Sequence, residues 1–254
     1  METGLGDKVV LVTGGAGGIG KAICRKFAEE GARVAVHFHT SSEAAESLAA
    51  EIGGIAVHAD LRVPSEADEM VAEVVSQMGG IDVCVANSGS YPPEPMPMWE
   101  IDEGRWNSTI ISNLGVTANT ARSFLSHSST RGSGSLVLVG STAGIYGEAG
   151  HSDYAAAKGA ITTGLLLSLK NEVSRLGSVR VNAVAPGWTL TEKKLESGID
   201  ETVMERAKST MALKKLATPD DVATTILFLS SDEVSGHITG QVVEVAGGME
   251  GRLV

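Results

Sequence analysis

The chain has 254 residues, 43% of them hydrophobic and 20% charged, with a formal net charge of −11 at pH 7. That size and balance describe an ordinary globule large enough to bury a core, and the acidic charge argues against nucleic acid or an anionic membrane as a partner. Cys24 and Cys84 stand apart within apolar runs, as core thiols of a reducing compartment do. No run approaches the ~18 apolar residues of a membrane-spanning helix, and the first residues do not read as a signal peptide. The expectation is a cytoplasmic protein without a metal.

Residues 9–12, Val-Val-Leu-Val, form a short apolar run of the kind that makes a buried strand. Glycines follow at Gly14, Gly15, Gly17, Gly18 and Gly20, and a helical repeat then puts Ile19, Ile23 and Phe27 on one face. Strand, glycine loop and helix make half of a βαβ unit. Glycine there lets backbone N–H groups approach a pyrophosphate at the helix N-terminus. Residues 33–38 are the second strand. An NAD site places an acid near the end of this strand, on the ribose hydroxyls. Here the end reads His37-Phe38-His39-Thr40-Ser41-Ser42, with no acid. His39, Thr40, Ser41 and Ser42 suit a 2′-phosphate, so NADP is expected, with NAD as the alternative. Ser41 or Ser42 also suits the N-cap of the next helix.

Residues 55–59 are the third strand, closed by Asp60 and Leu61, and Pro64 opens a helix as proline at its first position does. Residues 81–86 are the fourth strand, followed by Asn87-Ser88-Gly89. Four of the chain's seven prolines fall in the stretch Tyr91-Pro92-Pro93-Glu94-Pro95-Met96-Pro97. This irregular loop lies past a strand's carboxyl end, where α/β folds place substrates, and it serves equally as a stiff connection. Residues 105–128 read as one long helix with Ile110, Leu114, Ala118, Ala121 and Leu125 on its apolar face. Asn113 and Asn119 interrupt it, and a mid-helix asparagine is usually solvated.

An apolar run at 136–139 leads into Gly140 and Ser141. On the helix at 154–176, Tyr154 and Lys158 stand one turn apart on one face. A cation beside a phenol favours the phenolate, so the pair is expected to lower the tyrosine from its usual pKa near ~10. It would then donate and accept protons near neutral pH. Ser141 is placed to share its pocket. The sixth strand, 179–184, runs into Pro186-Gly187-Trp188-Thr189-Leu190-Thr191. Residues 192–211 are charged and weakly periodic, the profile of a lid over about 190–212. Thr218-Pro219-Asp220-Asp221 carries the signals of a helix start, and residues 240–245 form a last strand. Strands alternate with helices and no linker intervenes. One parallel-sheet domain over 1–254 is expected.

In this order the features resemble the short-chain dehydrogenase/reductase family over residues 5–250. Thr13-Gly14-x-x-x-Gly18-Ile19-Gly20 is similar to that family's cofactor loop. Asp60, with Leu61 beside it, stands where the family binds adenine. Ala86-Asn87-Ser88-Gly89 resembles its Asn-Asn-Ala-Gly motif, keeping the asparagine Asn87 and the final Gly89. Asn113, Ser141, Tyr154 and Lys158 fall on its catalytic tetrad. Pro186, Gly187, Thr189 and Thr191 lie in the segment that holds the nicotinamide carboxamide. The tail from Ile238 to Met249 is most similar to that of the 3-oxoacyl-acyl-carrier-protein reductases.

The resemblance implies a single Rossmann-type, doubly wound α/β domain, its seven-stranded parallel sheet covered by helices on both faces. It implies reversible hydride transfer between a nicotinamide and a carbonyl or secondary alcohol, on a 3-oxoacyl thioester or small ketone. Alternatives are an NAD-dependent dehydrogenase of a small alcohol or sugar, and a non-catalytic dinucleotide sensor. It implies that Tyr154 is the proton donor, Ser141 a donor to the substrate oxygen, and Lys158 a ligand of the nicotinamide ribose. Asn113 would hold a water linking Lys158 to solvent. A homotetramer is implied as well. Docking of an acyl carrier protein would fall to Arg175 and, displaced by one residue, Arg131, and it is not favoured on so acidic a chain.

Overall fold

The strands are apolar on both sides because helices cover both faces of the sheet. The protein is described by a computed structural model over residues 2–192, 195, 198 and 200–249. Its strands are β1 (Val9–Val12), β2 (Arg33–Phe38), β3 (Ile55–His58), β4 (Val83–Ala86), β5 (Ser133–Val139), β6 (Ser178–Pro186) and β7 (Val242–Val245). Among the described residues they pair in parallel in one seven-stranded sheet, ordered β3-β2-β1-β4-β5-β6-β7. The helices are α1 (Gly18–Glu29), α2 (Ser42–Ile52), α3 (Pro64–Met78), α4 (Glu103–Ile110), α5 (Val116–Arg131), α6 (Ala143–Tyr146), α7 (Ser152–Ala160), α8 (Leu166–Glu172), α9 (Glu201–Ser209), α10 (Pro219–Ser230) and α11 (Asp232–Ser235). This is the Rossmann-type arrangement expected.

Successive side chains of a strand point to opposite faces, and the two cores follow that alternation. Leu11, Cys84, Leu136, Leu138 and Val181 pack with Met70 of α3, Phe124 of α5 and Leu166 of α8. Val10, Val12, Val36, Val85 and Val137 pack on the other side with Ile23 and Phe27 of α1, Leu48 of α2 and Ile226 of α10. Cys24 and Cys84 are both free and fully buried, and burial pushes the Cys24 thiol up to about 12. Among the described residues, no helix is long and apolar enough to cross a membrane.

Several local expectations are corrected. The single helix read over 105–128 is α4 and α5 joined by a π-turn, Ile111–Gly115. The helix from 154 is likewise broken by a π-turn, Ile161–Leu165, between α7 and α8. Side chains that bond carbonyls of the preceding turn compete with the regular ladder at both places. Asn113 Nδ2 donates to Thr109 O at 3.0 Å, and Thr162 and Thr163 hydroxyls donate to Lys158 O and Gly159 O at 3.2 and 2.7 Å. The asparagines expected in solvent are not free. Asn113 is fully buried, and Asn119 Nδ2 donates to Leu61 O at 2.8 Å. Ser41 occupies the N-cap position of α2, yet its side chain makes no capping bond. Thr218 does cap α10, in a reciprocal box with Asp221.

The segment read as a lid contains α9, which ends near a small cluster of Ala207, Met211 and Leu216 packed with Trp188, Leu190 and Met204. Residues 193, 194, 196, 197 and 199 of that expected lid lie outside the described residues.

Candidate active site

The strand order reverses between β1 and β4, and open α/β sheets bind ligands at that switch point, past the carboxyl ends of the strands. The glycine loop leaves β1 there and turns into α1. Gly20 must be glycine, since a Cβ on it would lie 2.1 Å from Gly14 O. Among the described residues no side chain caps α1, so its first N–H groups face outward as an anion site. The loop is tied to the sheet by side chains. Asn87 Nδ2 donates to Thr13 O at 2.9 Å and Gly14 O at 3.2 Å, while Thr13 Oγ1 accepts from the backbone of Asn87 and Ser88. His37, to which no role was assigned from the sequence, fixes the loop from β2. Its Nδ1 accepts from Gly14 N at 3.0 Å, so Nε2 carries the proton donated to Ala59 O at 3.0 Å. Burial lowers His37 to about 4 and keeps it neutral.

The four residues of the expected tetrad converge beside this loop. Asn113, in its π-turn, pairs with the backbone of Ser90: Nδ2 donates to Ser90 O at 2.9 Å and Oδ1 accepts from Ser90 N at 3.3 Å. Ser141 follows β5, and its Oγ accepts from Ala143 N at 3.2 Å, leaving its own proton to donate. Tyr154 and Lys158 extend from α7. Lys158 is buried and donates to Val139 O at 2.9 Å. The helix is positioned by Asp153, which is fully buried and accepts from Arg105 Nε at 3.0 Å and from Thr109 Oγ1 at 3.0 Å. Arg105 also donates to Glu94 O at 2.9 Å and Gly150 O at 3.3 Å, fastening the proline loop to the start of α7.

The electrostatics correct one expectation. Burial raises the Tyr154 phenol to about 12, with Ser141 opposing and the Glu148 charge adding to the rise. Burial also lowers Lys158, to about 8. Desolvation penalises the charged form of each group, and the Lys158 Nζ is 5.8 Å from the Tyr154 ring centroid. Proximity in sequence therefore does not by itself lower the phenol.

At the far end of the cleft, Arg62 Nε and Nη2 grip both oxygens of Asp60, holding that carboxyl down at about 2. His39 Nε2 lies 3.7 Å from Asp60 Oδ2. The end of β2 has no basic residue of its own, and Arg62 supplies one from beyond β3.

One cleft of about 1790 Å³ joins the glycine loop, the four tetrad residues and the Asp60–Arg62 pair. It exceeds the ~300–1,000 Å³ of a single small-molecule pocket, which leaves room for a dinucleotide and a substrate together. Its lining includes Gly14, Gly18, Ile19, Gly20, His39, Thr40, Ser41, Asp60, Leu61, Asn87 and Gly89. Asn113, Ser141, Tyr154, Lys158, Pro186, Gly187, Thr189 and Thr191 line it too. Ser42 begins α2 and does not. Sequence reasoning missed Arg62, Ser90 and Glu148, which also line the cleft, as does Tyr91 from the proline loop read as either a substrate segment or a stiff connection.

A family model described as enoyl-(acyl carrier protein) reductase matches residues 14–250. Among curated proteins, the chain is 36% identical over 250 residues to the 3-oxoacyl-[acyl-carrier-protein] reductase FabG of Thermotoga maritima, covering 96% of this chain and 98% of the relative. It is 32% identical over 248 residues to the reductase of the same name from Staphylococcus epidermidis, with 96% and 99% covered. It is 33% identical over 248 residues to the acetoacetyl-CoA reductase of Allochromatium vinosum, with 95% and 98% covered.

Proposed function

The chain belongs to the short-chain dehydrogenase/reductase family and is an NAD(P)-dependent oxidoreductase of CH–OH and carbonyl groups, and on that premise we propose that it reduces a small ketone or a short 3-oxoacyl thioester with NADPH. The observation that carries the reading is the convergence of Asn113, Ser141, Tyr154 and Lys158 beside an uncapped glycine loop in one cleft. The names of the relatives, an acetoacetyl-CoA reductase among them, support the substrate class.

The cofactor fits the residues present. The first N–H groups of α1 suit its pyrophosphate, Asp60 and Leu61 its adenine, and Pro186, Gly187, Thr189 and Thr191 its carboxamide. His39, Thr40 and Ser41, now joined by Arg62, suit a 2′-phosphate. When bound, the nicotinamide supplies or accepts the hydride. Ser141 donates to the carbonyl oxygen as negative charge grows there, and Tyr154 gives that oxygen its proton. Lys158, when charged, favours the phenolate left behind. The position a Cβ would take on Gly89 lies 2.7 Å from Asn113 Oδ1 and 3.3 Å from Lys158 Nζ. A water bonded to both would return a proton to the pair.

The other expectations stand as parts of this proposal: one catalytic unit with a lid around α9, a cytoplasmic setting, and a homotetramer built about one two-fold axis through α4–α5 and α7–α8, where Ile111 and Leu167 are exposed, and about a second through the C-terminal strand and its tail. An acyl carrier protein is not favoured as the docking partner. Arg131 is already committed to Asp82 Oδ1 at 2.9 Å and Ile81 O at 2.9 Å.

The test is the absorbance of the nicotinamide band with NADPH and NADH over a panel of small ketones and 3-oxoacyl thioesters. Turnover with NADPH is expected. NADH bound ten-fold more tightly than NADPH would overturn the cofactor assignment, and a panel with no turnover would overturn the activity.

A further inference from the structure

The cleft beyond Tyr154 holds a polar constellation that proton and hydride transfer do not use. Tyr91 comes from the proline loop and Glu148 from the turn between α6 and α7, and both line the cleft. The Tyr91 hydroxyl donates to Glu148 Oε1 at 2.5 Å and lies 3.2 Å from His151 Nδ1. The Tyr91 ring stacks on His151 at 4.5 Å between centroids and meets the Tyr154 ring edge-on at 5.1 Å. The phenol therefore sets the carboxylate beside the proton donor. His151 backs it, 6% exposed, and its Nε2 has no partner among the described residues.

A carboxylate has room for about four hydrogen bonds. Glu148 receives one, on Oε1, and its Oε2 receives none from the described residues. The glutamate side chain is 31% exposed, so its unspent acceptor capacity opens on the cleft rather than into the core. At that exposure water serves the free oxygen, and a substrate group takes its place without loss only if it donates a hydrogen bond in turn. A substrate donor would complete the arrangement.

We propose that Glu148, oriented by Tyr91 and His151, selects the substrate of this site, and that the substrate is a carbonyl compound with a hydrogen-bond donor, hydroxyl or ammonium, on the chain flanking the reacting carbon. The inference rests on the carbonyl-reductase reading above. A site built to bond a donor discriminates against the analogue that lacks it, because its own polar group is then left unpaired. It discriminates further against a substrate with a carboxylate at the same place, by like-charge repulsion.

The same placement has a consequence for Tyr154. The groups around the phenol are Glu148, Tyr91 and His151 on the substrate side, Lys158 on α7, and the Arg105–Asp153 pair between α4 and α7. Of these, Glu148 is the charge that adds to the rise of the phenol, so neutralising it lowers the phenol's pKa.

The experiment compares wild type with Glu148→Gln on four methyl ketones that differ only in their end group: methyl, hydroxyl, ammonium or carboxylate. In wild type, kcat/KM for the hydroxyl or ammonium ketone should exceed that of the methyl ketone by roughly ten-fold or more, and the carboxylate ketone should be poorest. In Glu148→Gln the spread should shrink, the carboxylate ketone gaining most. A lead for ammonium that collapses in the variant identifies the donor as cationic. A lead for hydroxyl over ammonium identifies it as neutral, and both support the proposal. A flat profile in wild type, unchanged in the variant, would overturn it while leaving the reductase reading intact. Reduction of none of the four, with turnover on 3-oxoacyl thioesters, would overturn the proposal alone, and no turnover on either class would overturn both. An independent readout needs no turnover. In an ultraviolet titration of the protein alone, the tyrosinate step that Tyr154→Phe removes should move to lower pH in Glu148→Gln, and an unmoved step would contradict the placement of Glu148.

Discussion

The two ends of the cleft are built by different means. At the dinucleotide end the groups that face the ligand are backbone: Gly20 packs on Gly14 and the first amides of α1 are left uncapped by the described residues, while the Asn87 and His37 side chains hold the loop from the neighbouring strands. At the substrate end, irregular segments are held by side chains from distant elements, Arg105 to Asp153 and Tyr91 to Glu148. The first construction holds any dinucleotide of one shape. The second can change its partners without disturbing the sheet, and substrate choice is drawn from it.

The difference can be broken from either side. Arg105→Leu strikes the substrate end and should have the largest effect on stability. It strands the carboxylate of Asp153 in the interior, and breaking a buried pair in this way costs about 3–5 kcal/mol. For a chain of this size that is a fall in Tm of roughly 6–20 °C by thermal unfolding. Burial pushes the Asp153 carboxyl up, but its bonds from Arg105, the Tyr154 backbone and Thr109 outweigh that and leave it below its ordinary value. A carboxyl lowered on folding contributes stability above its unfolded pKa, near ~3.9, and loses it as the pH falls through the folded value. The gap in Tm between wild type and Arg105→Leu should therefore be full at neutral pH and close in acid. A gap that widened in acid would contradict the pairing.

Gly20→Ala strikes the other end. Its methyl must displace Gly14, an overpacking of about 1–3 kcal/mol, so a fluorescence titration should show dinucleotide affinity falling by roughly 5- to 150-fold. The tyrosinate step of Tyr154 should stay where it is in wild type. A shifted step would mean that the two ends are coupled more tightly than their separate construction implies. Thr218→Ala should do least. It removes the hydroxyl from the capping box of α10 at a cost of about 1 kcal/mol, with kcat and KM unchanged at either end. Altered kinetics in that variant would mean that α10 reaches the site.

The same division decides what was legible in the sequence. Strand, glycine loop and helix are local, so the glycine-loop contacts could be named from spacing, the resemblance supplied the more distant ones, and all but Ser42 line the cleft together. The sheet was legible because buried parallel strands are continuous apolar runs. The π-turns were not, since they depend on which carbonyl a side chain reaches in three dimensions. Arg105 and Asp153 lie 48 residues apart, and Tyr91 and Glu148 lie 57 apart. No periodicity joins such pairs. Arg62 escaped because the search for a basic partner followed β2, whereas the fold brings one from beyond β3. The phenol's pKa was misjudged because a sequence shows the neighbouring lysine but not the burial that opposes it.

The central claim is that Tyr154 protonates the carbonyl oxygen in a site whose dinucleotide end works independently. The most direct measurement pairs NADPH affinity with single-turnover reduction of the best ketone, in wild type and Tyr154→Phe. The account predicts unchanged affinity and a rate lower by on the order of 10²–10⁴-fold, the usual contribution of one general acid. A phenylalanine variant that binds NADPH normally and still reduces the ketone at the wild-type rate would contradict it.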